Sequence, residues 1–331
     1  MPKKIKLNVI ILTLFLSFFI STAIAAPSTN IDVFRLTYGF YREDWPVIYK
    51  NKILWVAEGI IYVYDVETKA TYPLFEGEQP LINLFGLVGY DGRYIVYNRY
   101  DGISYNVAAY DTENNENILV TDSVGSRWAT DFDNKTIVYI DGDAIGDLYI
   151  YDLNNKRKTL IAHLAAVPRI SGNYVVWYTG SSSGLYDIRT YNLVKNNYID
   201  IPNPETANRS SPDVYGDEII YNYSKNSLYS VRLFDINKKE ERILVESPSY
   251  TMSWPAISKR YAVWGKNTAQ HISGVEGIDL LTNQVFEIQE QGPHQNGNLT
   301  AYVVDNIAAW MAWRTGNGDI YGAILNKMEK E

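Results

Sequence analysis

One pattern recurs seven times along this chain: a turn, an apolar strand ending in an aromatic residue, a polar hairpin, then an alternating strand ending in Asp or Asn. The aromatic falls at Trp55, Tyr97, Tyr139, Trp177, Tyr221, Trp264 and Trp310, with spacings of 42, 42, 38, 44, 43 and 46 residues. Self-similarity at such a period restricts a chain to architectures whose units bury their faces against one another in series. The strand after each hairpin reads Ile61-Tyr62-Val63-Tyr64-Asp65, Val107-Ala108-Ala109-Tyr110-Asp111, Leu148-Tyr149-Ile150-Tyr151-Asp152, Ile188-Arg189-Thr190-Tyr191-Asn192 and Val231-Arg232-Leu233-Phe234-Asp235, with echoes in repeats six and seven. Alternation puts every second side chain on one face of a sheet, and the closing Asp or Asn can accept hydrogen bonds from the turn that follows. These acids read as structural.

Turn-rich hairpins separate the second and third strands: Asp101-Gly102, Asp141-Gly142-Asp143, Gly180-Ser181-Ser182-Ser183-Gly184 and Gly316-Asn317-Gly318-Asp319. Helical periodicity is absent outside the first residues. A period near 42 fits four strands per unit, which predicts an all-β, seven-bladed β-propeller occupying residues 26–331 as one domain. The 28 Tyr, 8 Trp and 10 Phe supply core area for it. The last repeat stops at Ile324-Leu325 and lacks a fourth strand, whereas Val33-Phe34-Arg35-Leu36-Thr37 resembles the fourth strands elsewhere. The N-terminal strand is therefore expected to complete the last blade and hide its edge.

Residues 1–25 read as a signal peptide: Lys3, Lys4 and Lys6, an uncharged apolar run from Leu7 to about Ile20, then Ala23-Ile24-Ala25 before Ala26. Cleavage there is expected, an uncleaved anchor being the alternative, and no transmembrane span is expected in the mature chain. Without the three lysines, 27 basic residues face 38 acidic ones, a net charge of −11, which argues against nucleic acid as a partner. The absence of cysteine excludes disulfides, thiolate metal sites and a cysteine nucleophile.

Trp45-Pro46-Val47-Ile48, Trp254-Pro255-Ala256-Ile257 and Val167-Pro168-Arg169-Ile170-Ser171-Gly172 open three of the repeats, and Leu87-Val88-Gly89-Tyr90 departs from them in repeat two. On these residues the chain resembles the TolB-like propellers. More narrowly, Pro168 to Trp177 and Asp319-Ile320-Tyr321 are similar to the propeller repeats of methanogen (archaeal) cell-surface proteins. The resemblance spans about residues 32 to 325 and implies a fold and an exported location, at the cell surface, in the periplasm or outside the cell. It implies no reaction.

Catalytic constellations are sparse. No Gly-x-Ser-x-Gly elbow, His-Glu-x-x-His helix or phosphate-cradling loop is present, and no cofactor is expected. The three histidines, His163, His271 and His294, are expected on one face of the propeller; scattered surface residues are the preferred reading and a three-histidine metal site the weaker one. Asp141-Gly142-Asp143-Ala144-Ile145-Gly146-Asp147 has Ile145 where a calcium loop needs oxygen, and reads as a turn. Loops running into the first strands should ring the channel mouth and combine Asp44, Trp45, Arg127, Trp128, Arg209 and Trp254, aromatic faces beside charged groups, as sugar-binding surfaces do. The competing reading packs these tryptophans between blades. Sequons at Asn134, Asn208, Asn222 and Asn298 are possible glycosylation sites. Together these features favour an exported, monomeric, non-enzymatic binding module whose partner is an envelope protein or a surface glycan. A propeller lyase or glycosidase is the alternative.

Overall fold

The computed structural model describes residues 31–38, 46–180, 184–268, 273–290, 300–314 and 317–326. Within them the chain is all-β, without a helix. An N-terminal strand, β1 (Asp32–Arg35), is followed by β2 (Val47–Tyr49), β3 (Lys52–Ala57), β4 (Ile60–Asp65) and β5 (Ala70–Pro73), then by β6 (Leu84–Tyr90), β7 (Tyr94–Tyr100), β8 (Tyr105–Asp111) and β9 (Glu116–Leu119). Next come β10 (Arg127–Asp133), β11 (Thr136–Gly142), β12 (Gly146–Asp152), β13 (Arg157–Ser171), β14 (Tyr174–Gly180), β15 (Tyr186–Asn192) and β16 (Asn197–Ile199). The remainder comprises β17 (Asn208–Tyr215), β18 (Glu218–Lys225), β19 (Leu228–Asp235), β20 (Glu240–Ser247), β21 (Tyr250–Ile257), β22 (Tyr261–Thr268), β23 (Ser273–Asp279), β24 (Gln284–Glu290), β25 (Ala301–Val304), β26 (Ile307–Arg314) and β27 (Asn317–Ile324).

Every pairing between these strands is antiparallel, and one isolated parallel bridge joins Tyr105 to Ser126. Five sheets have four strands, and β10 to β16 form one of seven. Four-stranded units were expected throughout; the difference lies in β13, whose first half pairs with β12 and whose second half, from Ala165, pairs with β14. Other repeats break here at Gly, Pro or Ser, as in Glu76-Gly77-Glu78-Gln79-Pro80, but Arg157 to Val167 contains no such residue and the strand runs on. The shortest aromatic spacing, 38 residues from Tyr139 to Trp177, marks the missing loop.

The sheets meet through their first strands. β2 touches β6, β6 touches β10, and the series continues through β13, β17, β21 and β25 back to β2, a closed ring. Apolar clusters fill the interfaces between successive repeats: Val138, Leu148 and Ile161 meet Ile170 and Trp177, and Ile53 and Trp55 meet Ile307 and Met311. Second strands serve two interfaces at once. Ile137 and Tyr139 face one cluster and Val138 and Ile140 the next, which is why β11 is an unbroken apolar run and not an alternating one. Burying Trp177, Trp264 and Trp310 almost completely stabilises these interfaces by about 2–3 kcal/mol per side chain.

The ring closes as expected. β1 pairs with β27, Phe34 opposite Gly322, and Arg35 Nη2 donates to both oxygens of the Asp319 carboxylate at 2.8 Å. Leu36 N–H donates to the Ile320 carbonyl at 2.8 Å, and Ile320 N–H donates to the Thr37 hydroxyl at 2.8 Å.

The closing acids do what the sequence assigns them. Asp65 Oδ1 accepts from Glu67 N and Thr68 N, Asp111 Oδ1 from Glu113 N and Asn114 N, and Asn192, Asp235 and Asp279 repeat the pattern. The cations Lys52, Arg93 and Arg260 at the start of second strands pair with Asp65, Asp111 and Asp279. Hydrogen bonds from Lys52 and Arg93 hold Asp65 and Asp111 down at about 2.

Candidate functional site

First strands share a local device. Val167, Ser211 and Trp254 take left-handed backbone (φ 45°, 51° and 48°), each just before a proline, and at each the ladder skips residues in a bulge. Proline has no N–H to lose from the ladder, so it is tolerated at the bulge, which re-aims the following side chain. That side chain is Arg169, Asp213 or Ala256.

Register identifies the same position in every repeat, the partner of the residue preceding the second-strand aromatic. Val47 lies opposite Leu54, Gly89 opposite Val96, Asp131 opposite Val138, Arg169 opposite Val176, Asp213 opposite Ile220, Ala256 opposite Val263 and Tyr302 opposite Ala309. All seven line a central cavity of about 860 Å³. They form one layer around it, with Asp131, Arg169 and Asp213 on three successive strands and Tyr302 across from them.

The acids are fixed by the neighbouring repeat. Asp131 Oδ2 accepts from Ile170 N at 2.9 Å and its Oδ1 from Phe132 N at 2.9 Å, while Asp213 Oδ2 accepts from Ile257 N at 2.9 Å. Arg169 Nη1 donates to the Thr130 carbonyl at 3.1 Å, and the guanidinium carbon lies over the Tyr302 ring, 5.4 Å from its centre. No carboxylate of the described residues lies within 4 Å of Arg169. All four side chains touch the channel yet are enclosed by protein elsewhere. Burial, which Arg169 opposes and Asp131 reinforces, pushes Asp213 up to about 6. Burial also raises Asp131 against the pull of Arg169, and it raises the Tyr302 phenol. For Arg169 burial works against the charge, but Tyr302, Asp131 and Asp213 outweigh it and the guanidinium is held cationic.

Towards the mouth the wall is aromatic. Tyr100, Tyr105 and Trp128 stack at 4.5 and 4.2 Å between centroids, and Phe85 meets all three edge-on at 5.0–6.2 Å. Phe85, Tyr105, Trp128 and Trp254 line the cavity.

The residues expected at the mouth separate into groups. Trp128 and Trp254 line the channel, whereas Trp55, Trp177, Trp264 and Trp310 are buried between repeats. Arg127 turns onto its own loop, donating to the Ser123 and Val124 carbonyls and pairing with Asp141 at 3.2 Å. Arg209 is a correction: it is 1% exposed, donating to Asp187 Oδ1 at 2.7 Å and to the Pro202 and Ile201 carbonyls at 3.0 and 2.8 Å, over the ring of Tyr221. Such a group ties a loop down, and it is not among the residues that line the channel. Asp44 and Trp45 lie outside the described residues, as do His271, His294 and Asn298 and the whole of residues 1–25. His163 is an exposed residue of β13 with Nδ1 2.8 Å from Asp147 Oδ1. Asn134 is exposed at the β10–β11 turn, Asn208 Oδ1 is taken by Tyr186 N at 2.8 Å, and Asn222 Oδ1 is buried within β18. Of these three, Asn134 is exposed and the other two are half-buried.

Sequence reasoning did not find Asp131, Arg169, Asp213 and Tyr302. One signal was available: between Pro and a β-branched residue, Arg169 and Asp213 stand where other repeats carry Val47 and Ala256.

No family model matches the chain, and no curated protein matches it. Solved structures do. An oligogalacturonate lyase in complex with manganese superposes with a TM-score of 0.64 at 15% identity, over 91% of this chain and 95% of that one. The β-propeller domain of the Trilobed protease from Pyrococcus furiosus, described as having an open velcro topology, gives 0.61 at 10% identity over 88% and 97%. TolB from Acinetobacter baumannii gives 0.48 at 13% identity over 85% and 78%, a score on which nothing here rests. At these identities the likeness shows the fold alone, a β-propeller.

Proposed function

We propose that this chain is an exported, non-enzymatic binding module of the cell envelope or cell surface, a monomeric seven-bladed propeller that holds a partner at the mouth of its central channel. The blade count treats the seven-stranded sheet as two blades sharing β13, in keeping with the ring of first strands and the cluster between each adjoining pair. The observation that carries the binding reading is the cavity of about 860 Å³, aromatic at its mouth and charged at one interior level. Concave sites with an apolar wall and a few fixed polar groups are where ligands bind. Export is supported by the signal-like pattern of residues 1–25 and surface location by the repeats' similarity to those of methanogen surface proteins. No helix among the described residues is long and apolar enough to cross a membrane. The test is capture from envelope extract on the mature chain, with Trp128→Ala as control. A partner retained equally by that variant refutes binding at the mouth.

One observation favours an enzyme as the second reading. Asp131 and Asp213 both hold protons more tightly than ordinary carboxyls, a property of general acids in glycoside cleavage. Against it, each carboxylate has an oxygen committed to a backbone N–H of the next repeat. Release of reducing sugar from an oligosaccharide panel, abolished by Asp213→Asn, would establish the enzyme reading instead.

A further inference from the structure

The binding reading leaves the ligand's chemistry open, and the interior layer narrows it. We propose that the channel receives the end of a neutral, hydroxyl-rich chain, a glycan terminus, which packs a ring against the Trp128 side of the mouth and bonds its hydroxyls to Asp131, Arg169 and Asp213. This rests on the binding reading given above.

The first argument is about charge. Asp131 and Asp213 sit on the strands flanking the one that carries Arg169, so acceptors and a forked donor alternate around one level of the wall. An anion drawn to the guanidinium meets two carboxylates, and a cation drawn to the carboxylates meets the guanidinium. A hydroxyl donates and accepts at once, so a polyol satisfies both kinds of group without desolvating a charge of its own. Arg169 has the capacity to serve it: five N–H donors, one given to the Thr130 carbonyl and one contact with Tyr302, and no carboxylate of the described residues within 4 Å. The second argument is about shape. Flat aromatic faces above this layer suit the apolar face of a sugar ring, and the Tyr100, Tyr105 and Trp128 stack holds them rigidly.

The third argument concerns direction. Arg169 on β13 contacts Tyr302 on β25, three repeats further round the ring, so the pair bridges the channel at the level of the layer. A chain entering from the mouth meets this crossbar at the layer and has only the space beside it in which to lodge a ring, the cavity lining continuing beyond to Asp133, Ser171, Tyr215 and Val304. That division of the channel favours a terminus over the middle of a polymer. The remaining positions of the layer, Val47, Gly89 and Ala256, are apolar and small or medium-sized, which leaves room beside the crossbar for a terminal ring.

The test uses the whole mature chain and two panels run together. One holds linear neutral oligosaccharides of two to six residues (glucose, mannose, galactose and N-acetylglucosamine series), immobilised through either end; the other holds short peptides. The expected result is binding of at least one oligosaccharide series from one orientation only, weakened tenfold or more by Arg169→Gln and by Trp128→Ala. Val47→Phe, which adds bulk to the apolar arc and removes no polar group, should block the same ligand while leaving the melting temperature near that of the parent. Sugar binding unchanged by R169Q and V47F, or equal from both orientations, overturns the inference. Peptide binding without sugar binding overturns it and leaves the binding module standing. A protein that responds to neither panel counts against both.

Discussion

Asp213 destabilises the fold at neutral pH. Its native carboxyl titrates at about 6 against an ordinary 3.8, so the favourable contribution of its protonated form is complete below pH 4 and is lost as the pH rises through 6. The shift corresponds to at most about 3 kcal/mol, less what channel water screens. Asp213→Asn keeps the acceptor for Ile257 N and removes the charge. It should match the parent at pH 4 and exceed it by about 1–2 kcal/mol at pH 7.5, read from urea midpoints at the two values. Asp65 and Asp111 slope the other way: at about 2, they lend stability above pH 4 that fades as pH falls through 2. Arg209 supplies a contrast with Arg169. Arg209→Met leaves the Pro202 and Ile201 carbonyls without their donor and Asp187 with only Asn203 and Arg189, and should cost about 2–3 kcal/mol in a denaturant titration, with ligand binding by the folded fraction unchanged. The one local difference between these two arginines is that Arg169 stands between Pro168 and Ile170 and Arg209 between Asn208 and Ser210; their environments, loop carbonyls for one and the channel wall for the other, are set by contacts further along the chain.

Among the elements, the turn after each third strand is the most regular. Asp65, Asp111, Asp152, Asn192, Asp235 and Asp279 are each followed four residues later by a residue in left-handed backbone: Lys69, Asn115, Lys156, Asn196, Lys239 and Asn283, with φ between 51° and 59°. Asn tolerates that region, and Lys does so only at a cost of about 1 kcal/mol. Lys69→Gly and Lys239→Gly should therefore each raise stability by about 0.5 kcal/mol once the greater chain entropy of glycine is deducted, and the two gains should add in thermal melts. These turns and the apolar second strands were legible because they obey local rules: a capping acid, a period of two, an aromatic at fixed spacing. The first strands were not. At their bulges two residues occupy the space of one and the parity of the side chains flips, so alternation cannot say whether Arg169 or its neighbours face the channel. Asp131, Arg169 and Asp213 all stand on first strands whose pattern is broken by such a bulge.

At the scale of the molecule, the ring was foreseeable from the repeat count and from the missing fourth strand of the last repeat. β1 supplies that strand, and Phe34 packs on Gly322 so closely that a Cβ there would lie 2.5 Å from its ring. Deleting residues 26–36 should lower the urea midpoint by an amount equivalent to several kcal/mol and expose the β27 edge, seen as concentration-dependent association in sedimentation. Gly322→Ala should reproduce part of that loss. What the repeats did not reveal is that they are unequal partners. β13 passes without a break from one interface to the next, its ladders with β12 and β14 meeting at Ala165, whereas the other sheets of the described residues share no strand. Arg169 is thus carried on a strand anchored in two repeats, and Tyr302 on a strand paired within one: the two halves of the crossbar are held unequally, the arginine from both sides and the tyrosine from one.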